Sequence, residues 1–159
     1  MNPLNAQAIF DTLKGKFGDS VVELQSEGCS PAYVVVAPGS IKEVARFLKD
    51  APALSFDSLM CLSGVDYKDN FAVTYHVYSM ANRHSVGLKA MLPRENPSLP
   101  SVDDVWPAAN FQEREAYDLL GIVFEGSKDL RRILLPPDWE GHPLRKDYKY
   151  PESYHGIKV

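Results

Sequence analysis

Three consecutive runs limit the fold of this chain more than any other feature. Phe71–Ser79 alternates, with Phe71, Val73, Tyr75 and Val77 on one side and Ala72, Thr74, His76 and Tyr78 on the other. His84–Leu92 alternates too, through Val86, Leu88, Ala90 and Leu92, and Phe56–Val65 is apolar enough to read as a buried strand. A period of two sends successive side chains to opposite faces of a sheet. Asp69-Asn70 and Asn82 supply turn chemistry between the runs, so the connections have hairpin length. Hairpin-length connections make neighbouring strands antiparallel.

The flanking segments fit around that sheet. Ala6, Ile9, Phe10, Leu13 and Phe17 fall at helical spacing, with Asn2-Pro3 as a start signal and Gly18 as a stop. Val21–Gln25 and Tyr33–Ala37 are short β-rich runs separated by Gly28 and Pro31, which predicts a hairpin with a loop. Ser40 and Glu43 have capping-box spacing ahead of Ile41, Val44, Ala45 and Leu48, and Pro52 stops that helix. Pro93, Pro97 and Pro100 mark a loop; Ser101 is placed to cap a short helix carrying Val105 and Trp106. Another helix covers Ala109–Leu120 and stops at Gly121. The expected class is α+β: a small, mainly antiparallel sheet with helices packed on one face. Residues 1–110 form that domain, and residues 111–126 a helix and a short strand. Residues 127–159 form an extended C-terminal arm, because Pro136, Pro137, Pro143 and Pro151 exclude a long helix or a central strand there.

Composition excludes several functions. A net charge of −4 gives no basic footprint for nucleic acid, and Arg131-Arg132 and Arg145-Lys146 are each flanked by acids. The first residues do not read as a signal peptide, and no run approaches the ~18 apolar residues of a membrane span, so a cytosolic or peripheral protein is expected. Cys29 and Cys61 are then expected to be reduced and mostly buried. His76, His84, His142 and His155 lack metal-ligand spacing, and no phosphate loop or dinucleotide fingerprint is present. His76, on a strand, reads as a hydrogen-bonded structural histidine.

The chemistry-bearing residues concentrate in Phe111–Tyr148. At about 100° per residue, Glu115 and Asp118 lie on neighbouring sides of the helix and Glu113 points away from both. Arg114 stands four residues before Asp118, in ion-pairing position. Ala116 and Leu119 form the apolar stripe with Leu120 at its edge, so the charges are expected on the solvated surface or on a charged docking face. An enzyme using Glu115, Asp118 and His142 as acid–base groups is a rival reading, and it requires those groups to converge. In the arm, Leu130, Ile133, Leu134, Leu135, Trp139 and Leu144 are too apolar to stand free in water. The arm must lie on a surface: the domain's own sheet, a second copy, or a different subunit. Arg and Trp are residue types that anchor such contacts.

Three motifs in order then carry a resemblance: Glu113-Arg114-Glu115-Ala116-Tyr117-Asp118-Leu119-Leu120-Gly121-Ile122; Asp129-Leu130-Arg131-Arg132-Ile133-Leu134-Leu135-Pro136; and Asp138-Trp139-Glu140-Gly141-His142-Pro143-Leu144-Arg145-Lys146-Asp147-Tyr148. This region, roughly a quarter of the chain, resembles the 30 kDa subunit family of respiratory complex I, known in bacteria as the C subunit of NADH–quinone oxidoreductase. Ser127-Lys128 stand where the family often has a His, and Lys149-Tyr150 intervene before Pro151. The resemblance implies a cofactor-free subunit of the peripheral arm, on the cytoplasmic side of the cell membrane, held there only through the complex. It implies flavin and iron–sulfur clusters in partner subunits. It also implies that the C-terminal arm docks on the D subunit, the forty-nine-kilodalton-like chain near the quinone site, with iron–sulfur subunits as neighbours. Related subunits of membrane-bound hydrogenases and photosynthetic NDH complexes carry similar motifs. The contact residues expected on this basis are Glu113, Arg114, Glu115, Asp118, Arg131, Arg132, Asp138, Trp139, His142, Arg145 and Asp147. Self-association through the arm is the remaining rival for the isolated chain.

Overall fold

The structure is a computed structural model that describes residues 4–158. Helix α1 (Ala6–Phe17) begins where the Asn5 side chain accepts the Ala8 N–H at 2.8 Å, and it ends at Gly18. The Asn2-Pro3 start signal lies outside the described residues. Ile9 and Leu13, one turn apart, are fully buried. Burying each is worth about 1.5–3 kcal/mol, which outweighs the marginal stability of an isolated helix this short.

Strands β1 (Val21–Gln25) and β2 (Tyr33–Val36) form the expected antiparallel hairpin. Helix α2 (Ile41–Asp50) buries Ile41, Val44, Ala45 and Leu48, and stops where Ala51 turns extended ahead of Pro52. The capping box does not form. Ser40 closes a short 3-10 turn in helical conformation, and its hydroxyl donates to Ser20 Oγ at 2.9 Å instead. A residue already in helical conformation cannot aim its side chain back at the helix's free amides.

Strands β3 (Ser58–Asp66), β4 (Asn70–Ser79) and β5 (His84–Pro93) form a meander, and β5 pairs in parallel with β2. The resulting order is β1-β2-β5-β4-β3. The alternation expected for β4 and β5 is realised: Phe71, Val73, Tyr75, Val77, Val86, Leu88, Ala90 and Leu92 enter one core with the buried residues of α1 and α2. Cross-strand partners share a face, so Tyr33, Cys61, Thr74, His76 and Lys89 occupy the opposite, helix-free face. There His76 meets the Tyr33 hydroxyl through its Nε2, a hydrogen-bonded structural role.

Two expectations are corrected here. β3 is an edge strand with Met60, Cys61 and Ser63 exposed, and is not buried throughout. Cys29 and Cys61 are both free and exposed, because one lies in the hairpin loop and the other on the open face of that edge strand.

Past β5, Ser98–Pro100 (β6) pairs in parallel with Val123–Glu125 (β7), where the prolines suggest only a loop. The short helix expected around Trp106 is a set of turns, with Trp106 N–H bonded to Val102 O at 2.9 Å. Helix α3 (Ala109–Leu120) lies between β6 and β7 in sequence and packs on β3 at Gly64. Beyond Gly126 the chain runs through turns to a small antiparallel pair, β8 (Ser153–Tyr154) and β9 (Ile157–Lys158).

Gly64 fixes how closely α3 approaches the sheet. A Cβ there would stand 2.5 Å from Leu120 Cδ1 and 3.1 Å from Ile122 Cδ1. Gly64→Val is expected to lower stability by about 1–3 kcal/mol through overpacking, measured by urea unfolding, with the loss tracing to displacement of the end of α3.

Candidate functional site

An α-helix leaves its last carbonyls without partners inside the helix. In α3 the C-terminal arm supplies them. Arg132 Nη1 and His142 Nδ1 donate to Asp118 O at 3.1 and 2.9 Å, Leu144 N–H donates to Leu119 O at 3.0 Å, and Arg145 Nε donates to Leu120 O at 2.6 Å. Two guanidinium groups at the negative end of a helix also suit its dipole. The helix stops at Gly121, whose φ of 72° is left-handed and whose N–H returns to Tyr117 O at 2.8 Å. Glycine is required there twice over, since a Cβ would also stand 2.5 Å from Arg145 Nη2 and 2.6 Å from the His142 ring.

Asp118 is the hub. Its side chain is fully buried; Oδ1 accepts Arg132 Nη1 at 2.8 Å, and Oδ2 accepts three successive amides, Ile133 at 3.0 Å, Leu134 at 2.8 Å and Leu135 at 2.9 Å. Consecutive amides converging on one oxygen form an anion-binding nest. Burial by itself would raise this carboxyl's pKa, but the Leu135 amide, Arg132 and the other two amides outweigh it and hold the pKa below its ordinary value. The other terminal Arg132 nitrogen, Nη2, donates to Trp139 O and Gly141 O, both at 2.9 Å. Arg114 donates to Arg131 O and Arg132 O at 3.3 Å, so it braces the arm and does not pair with Asp118.

A second attachment joins the arm to the sheet. Arg94 holds Asp66 Oδ1 at 2.8 Å and Asp147 Oδ1 at 2.7 Å, and Asp66 Oδ2 also accepts Lys146 N–H at 2.8 Å. The guanidinium groups of Arg94 and Arg145 stand 5.0 and 5.1 Å from the Phe71 ring centroid. Against the opposing cost of burial, Arg94 and the Lys146 and Lys68 amides bring Asp66 down to a pKa of about 2. Farther along, Trp139 Nε1 donates to Tyr148 Oη at 3.0 Å, and Asp138 accepts Tyr154 Oη at 2.9 Å and His155 Nε2 at 2.7 Å.

Glu113 belongs to a different environment. It is fully buried and accepts Ser101 Oγ at 2.6 Å and Val102 N–H at 2.8 Å. Among the described residues no cation pairs with it. Burial, reinforced by the charge of Asp103, raises its pKa to about 7 against the two hydrogen bonds. Its charge in turn adds to burial in pushing the Tyr75 phenol well above its ordinary value.

The expected surface of α3 is therefore revised. Glu113, Arg114 and Asp118 are buried, Leu119 is half-buried, and only Glu115 of the three acids is exposed. Arg132, His142, Arg145 and Trp139 are half-buried, whereas Arg131, Asp138 and Asp147 are exposed. The acid–base trio does not assemble: His142 bonds the Asp118 main-chain oxygen, the Asp118 carboxylate is enclosed by four donors, and Glu115 faces the groove beside β3. Among the described residues no group of three or more His, Cys, Asp or Glu could hold a metal ion. Sequence reasoning misses Asp66, Arg94 and Asp103, and reads Ser101 only as a helix cap and not as the partner of Glu113. Each acquires its role from a partner 12 or more residues away, which no local pattern reveals.

A family model described as the 30 kDa subunit of the respiratory-chain NADH dehydrogenase matches residues 34–154. The chain belongs to this family. It is 46% identical over 157 residues to the C subunit of NADH-quinone oxidoreductase from Chlorobium phaeobacteroides, covering 97% of this chain and 95% of that one. It is 44% identical over 160 residues to the protein of the same name from Chloroherpeton thalassium, covering 99% and 67%. A solved trypsin-resistant fragment, residues 1–134 of Nqo5, superposes with a TM-score of 0.63 at 32% identity, over 76% of this chain and 97% of the fragment. A chain from the archaeal membrane-bound sulfane sulfur reductase reaches a TM-score of 0.72 at 22% identity, over 90% and 85%, and shares the fold.

In this member of the NADH dehydrogenase subunit family, Asp118 and Glu113 respond to pH with opposite signs. Asp118→Asn removes an acceptor from Arg132 and the three amides and is expected to cost about 3 kcal/mol at neutral pH, by chemical denaturation. Because the folded pKa of Asp118 is depressed, the stability it contributes is present above the ordinary aspartate pKa and is lost as pH falls through the folded value, so the gap to the variant should close in acid. The folded pKa of Glu113 is raised from 4.5 to about 7, so its contribution is full below 4.5 and is lost as pH rises through about 7. Glu113→Gln should match the wild type at pH 4 and exceed it at pH 8 by on the order of 2 kcal/mol.

Proposed function

We propose that this chain is a cofactor-free subunit of the peripheral arm of a proton-translocating NADH:quinone oxidoreductase, and that α3 with the C-terminal arm docks on the D subunit near the quinone site. Flavin and iron–sulfur clusters then reside in partner subunits, iron–sulfur subunits are its neighbours, and the chain sits on the cytoplasmic side of the membrane through the complex. The reading is supported by family membership and by the fact that no helix among the described residues is long and apolar enough to cross a membrane.

One observation carries the docking role. The charges of α3 and the arm bind each other, which fixes an irregular, proline-rich segment in place and leaves its outer surface to be read. Asp118, Arg114, Arg132, His142 and Arg145 shape the arm from inside, with Glu113 anchoring the other side of α3. Glu115, Arg131, Asp138, Trp139 and Asp147 are the groups offered to the partner, beside the exposed Leu134 and Leu144. A surface ordered before association avoids the entropy cost of ordering on binding.

Co-expression of this chain with the D subunit, followed by affinity purification, tests the reading. Truncation after Gly126 strips Asp118 and the end of α3 of their partners, so it probes folding as well as docking. Leu134→Ala and Arg131→Glu act on the outer surface. Leu134→Ala is expected to weaken association about tenfold, with a melting temperature close to that of the wild type. Association that survives both changes undiminished would dismiss the arm as the docking element.

A further inference from the structure

Beside the arm, the edge of β3 and the flank of α3 enclose a groove of about 400 Å³. Leu62, Ala116, Leu119 and Leu120 give it an apolar floor, and Leu144 of the arm closes it, 58% exposed. Met60 and Phe111, 62% and 63% exposed, belong to the same strand and helix. Two features indicate what kind of occupant fits. First, β3 ends the sheet, so its outer main-chain groups have no neighbouring strand. At Leu62 the amide is met by the side-chain oxygen of Gln112, a substitute for the carbonyl of another strand. Second, Glu115 lines the groove, is exposed, and makes no ion pair among the described residues. The arginines near it are committed elsewhere, Arg114 to main-chain oxygens of the arm and Arg145 to Leu120 O.

We propose that this groove receives an extended segment of the partner protein, which displaces Gln112 from the Leu62 amide to run along β3 next to the irregularity at Met60, seats an apolar side chain over Ala116 and Leu119, and brings a lysine or arginine to Glu115. An exposed strand edge with alternating pockets is a recurring mode of peptide recognition, in which main-chain bonds give affinity and pockets give specificity. The groove is continuous with the arm through Leu144, so one partner can span both. A second copy of this chain is the alternative occupant, distinguished by its dependence on concentration. The proposal rests on the docking role above, and it adds a specific site and the chemistry of its occupant.

Cys61 supplies the test, since it is free and exposed beside Ser63 on the open face of β3, where a strand added along that edge would place a side chain against it, while Cys29 is free and exposed in the β1–β2 loop. The rate of alkylation at each thiol is measured by mass spectrometry on the isolated chain and on the purified pair with the D subunit. Cys61 is expected to slow by about tenfold or more in the pair, with Cys29 unchanged. Glu115→Lys should restore reactivity at Cys61 or weaken the pair several-fold, without lowering the melting temperature. Equal Cys61 rates in the free chain and in an intact pair overturn the groove while leaving the arm's docking role standing. Failure of the wild type to form a pair overturns the docking role itself. Protection of Cys61 in the isolated chain that grows with its concentration assigns the groove to a second copy and overturns the proposed occupant.

Discussion

The Asp118 carboxylate and the open end of α3 are the constraint on which the rest of the structure depends. A helix terminus presents carbonyls that need donors, and a proline-rich segment presents amides that need acceptors but cannot form a ladder. Each supplies what the other lacks. Asp118 accepts the amides of Ile133, Leu134 and Leu135, and the carbonyls of Asp118, Leu119 and Leu120 accept from Arg132, His142, Leu144 and Arg145. The arm therefore needs no secondary structure of its own to be ordered. It takes its hydrogen bonds from α3, and α3 takes its C-terminal cap from the arm.

The sheet adds a second hold. Asp66, at the end of the edge strand, binds Arg94 from just beyond β5 and the Lys146 amide from the arm, and Arg94 reaches on to Asp147. These are not equivalent ion pairs. The Arg94–Asp147 pair is largely exposed on the acid side and contributes little by itself, in the range usual for surface pairs, about 0–1 kcal/mol. The Arg132–Asp118 pair is enclosed and shares its acid with three amides, so removing either member leaves a buried charge uncompensated. The order of the arm is thus decided at α3, and the sheet contact fixes where its far end lies.

The sheet is legible in the sequence because its signal is local. Alternation in Phe71–Ser79 and His84–Leu92, and the helical spacing of Ile41, Val44, Ala45 and Leu48, are properties of neighbouring residues, and the structure realises them. The caps and the charged helix are less legible for the same reason. Ser40 and Glu43 have the right spacing for a capping box, but the preceding Pro38–Ser40 turn puts Ser40 in the wrong conformation. On α3 the apolar stripe alone suggests the buried face, yet Glu113 and Asp118 go inside while Phe111 stays out. Polarity predicts exposure only when no partner is available. Here Ser101 and Arg132 are the partners, 12 and 14 residues away, and nothing in the helix itself points to them. The family motif contains that information in compressed form, since its three parts are the helix, the nest and the cap.

Internal pairing also changes where association energy can come from. Charges that brace the arm are already desolvated and hydrogen-bonded, so they have little left to offer a partner. What remains on the outer surface is a few uncommitted charges, Glu115 foremost, and apolar side chains such as Leu134, Leu144 and Phe111 that water does not favour. An interface of that composition gains most of its affinity from apolar burial, with the charges setting register and orientation. The dense charge of the Phe111–Tyr148 stretch is therefore mostly an intramolecular lock, and its contribution to assembly is the shape that the lock holds.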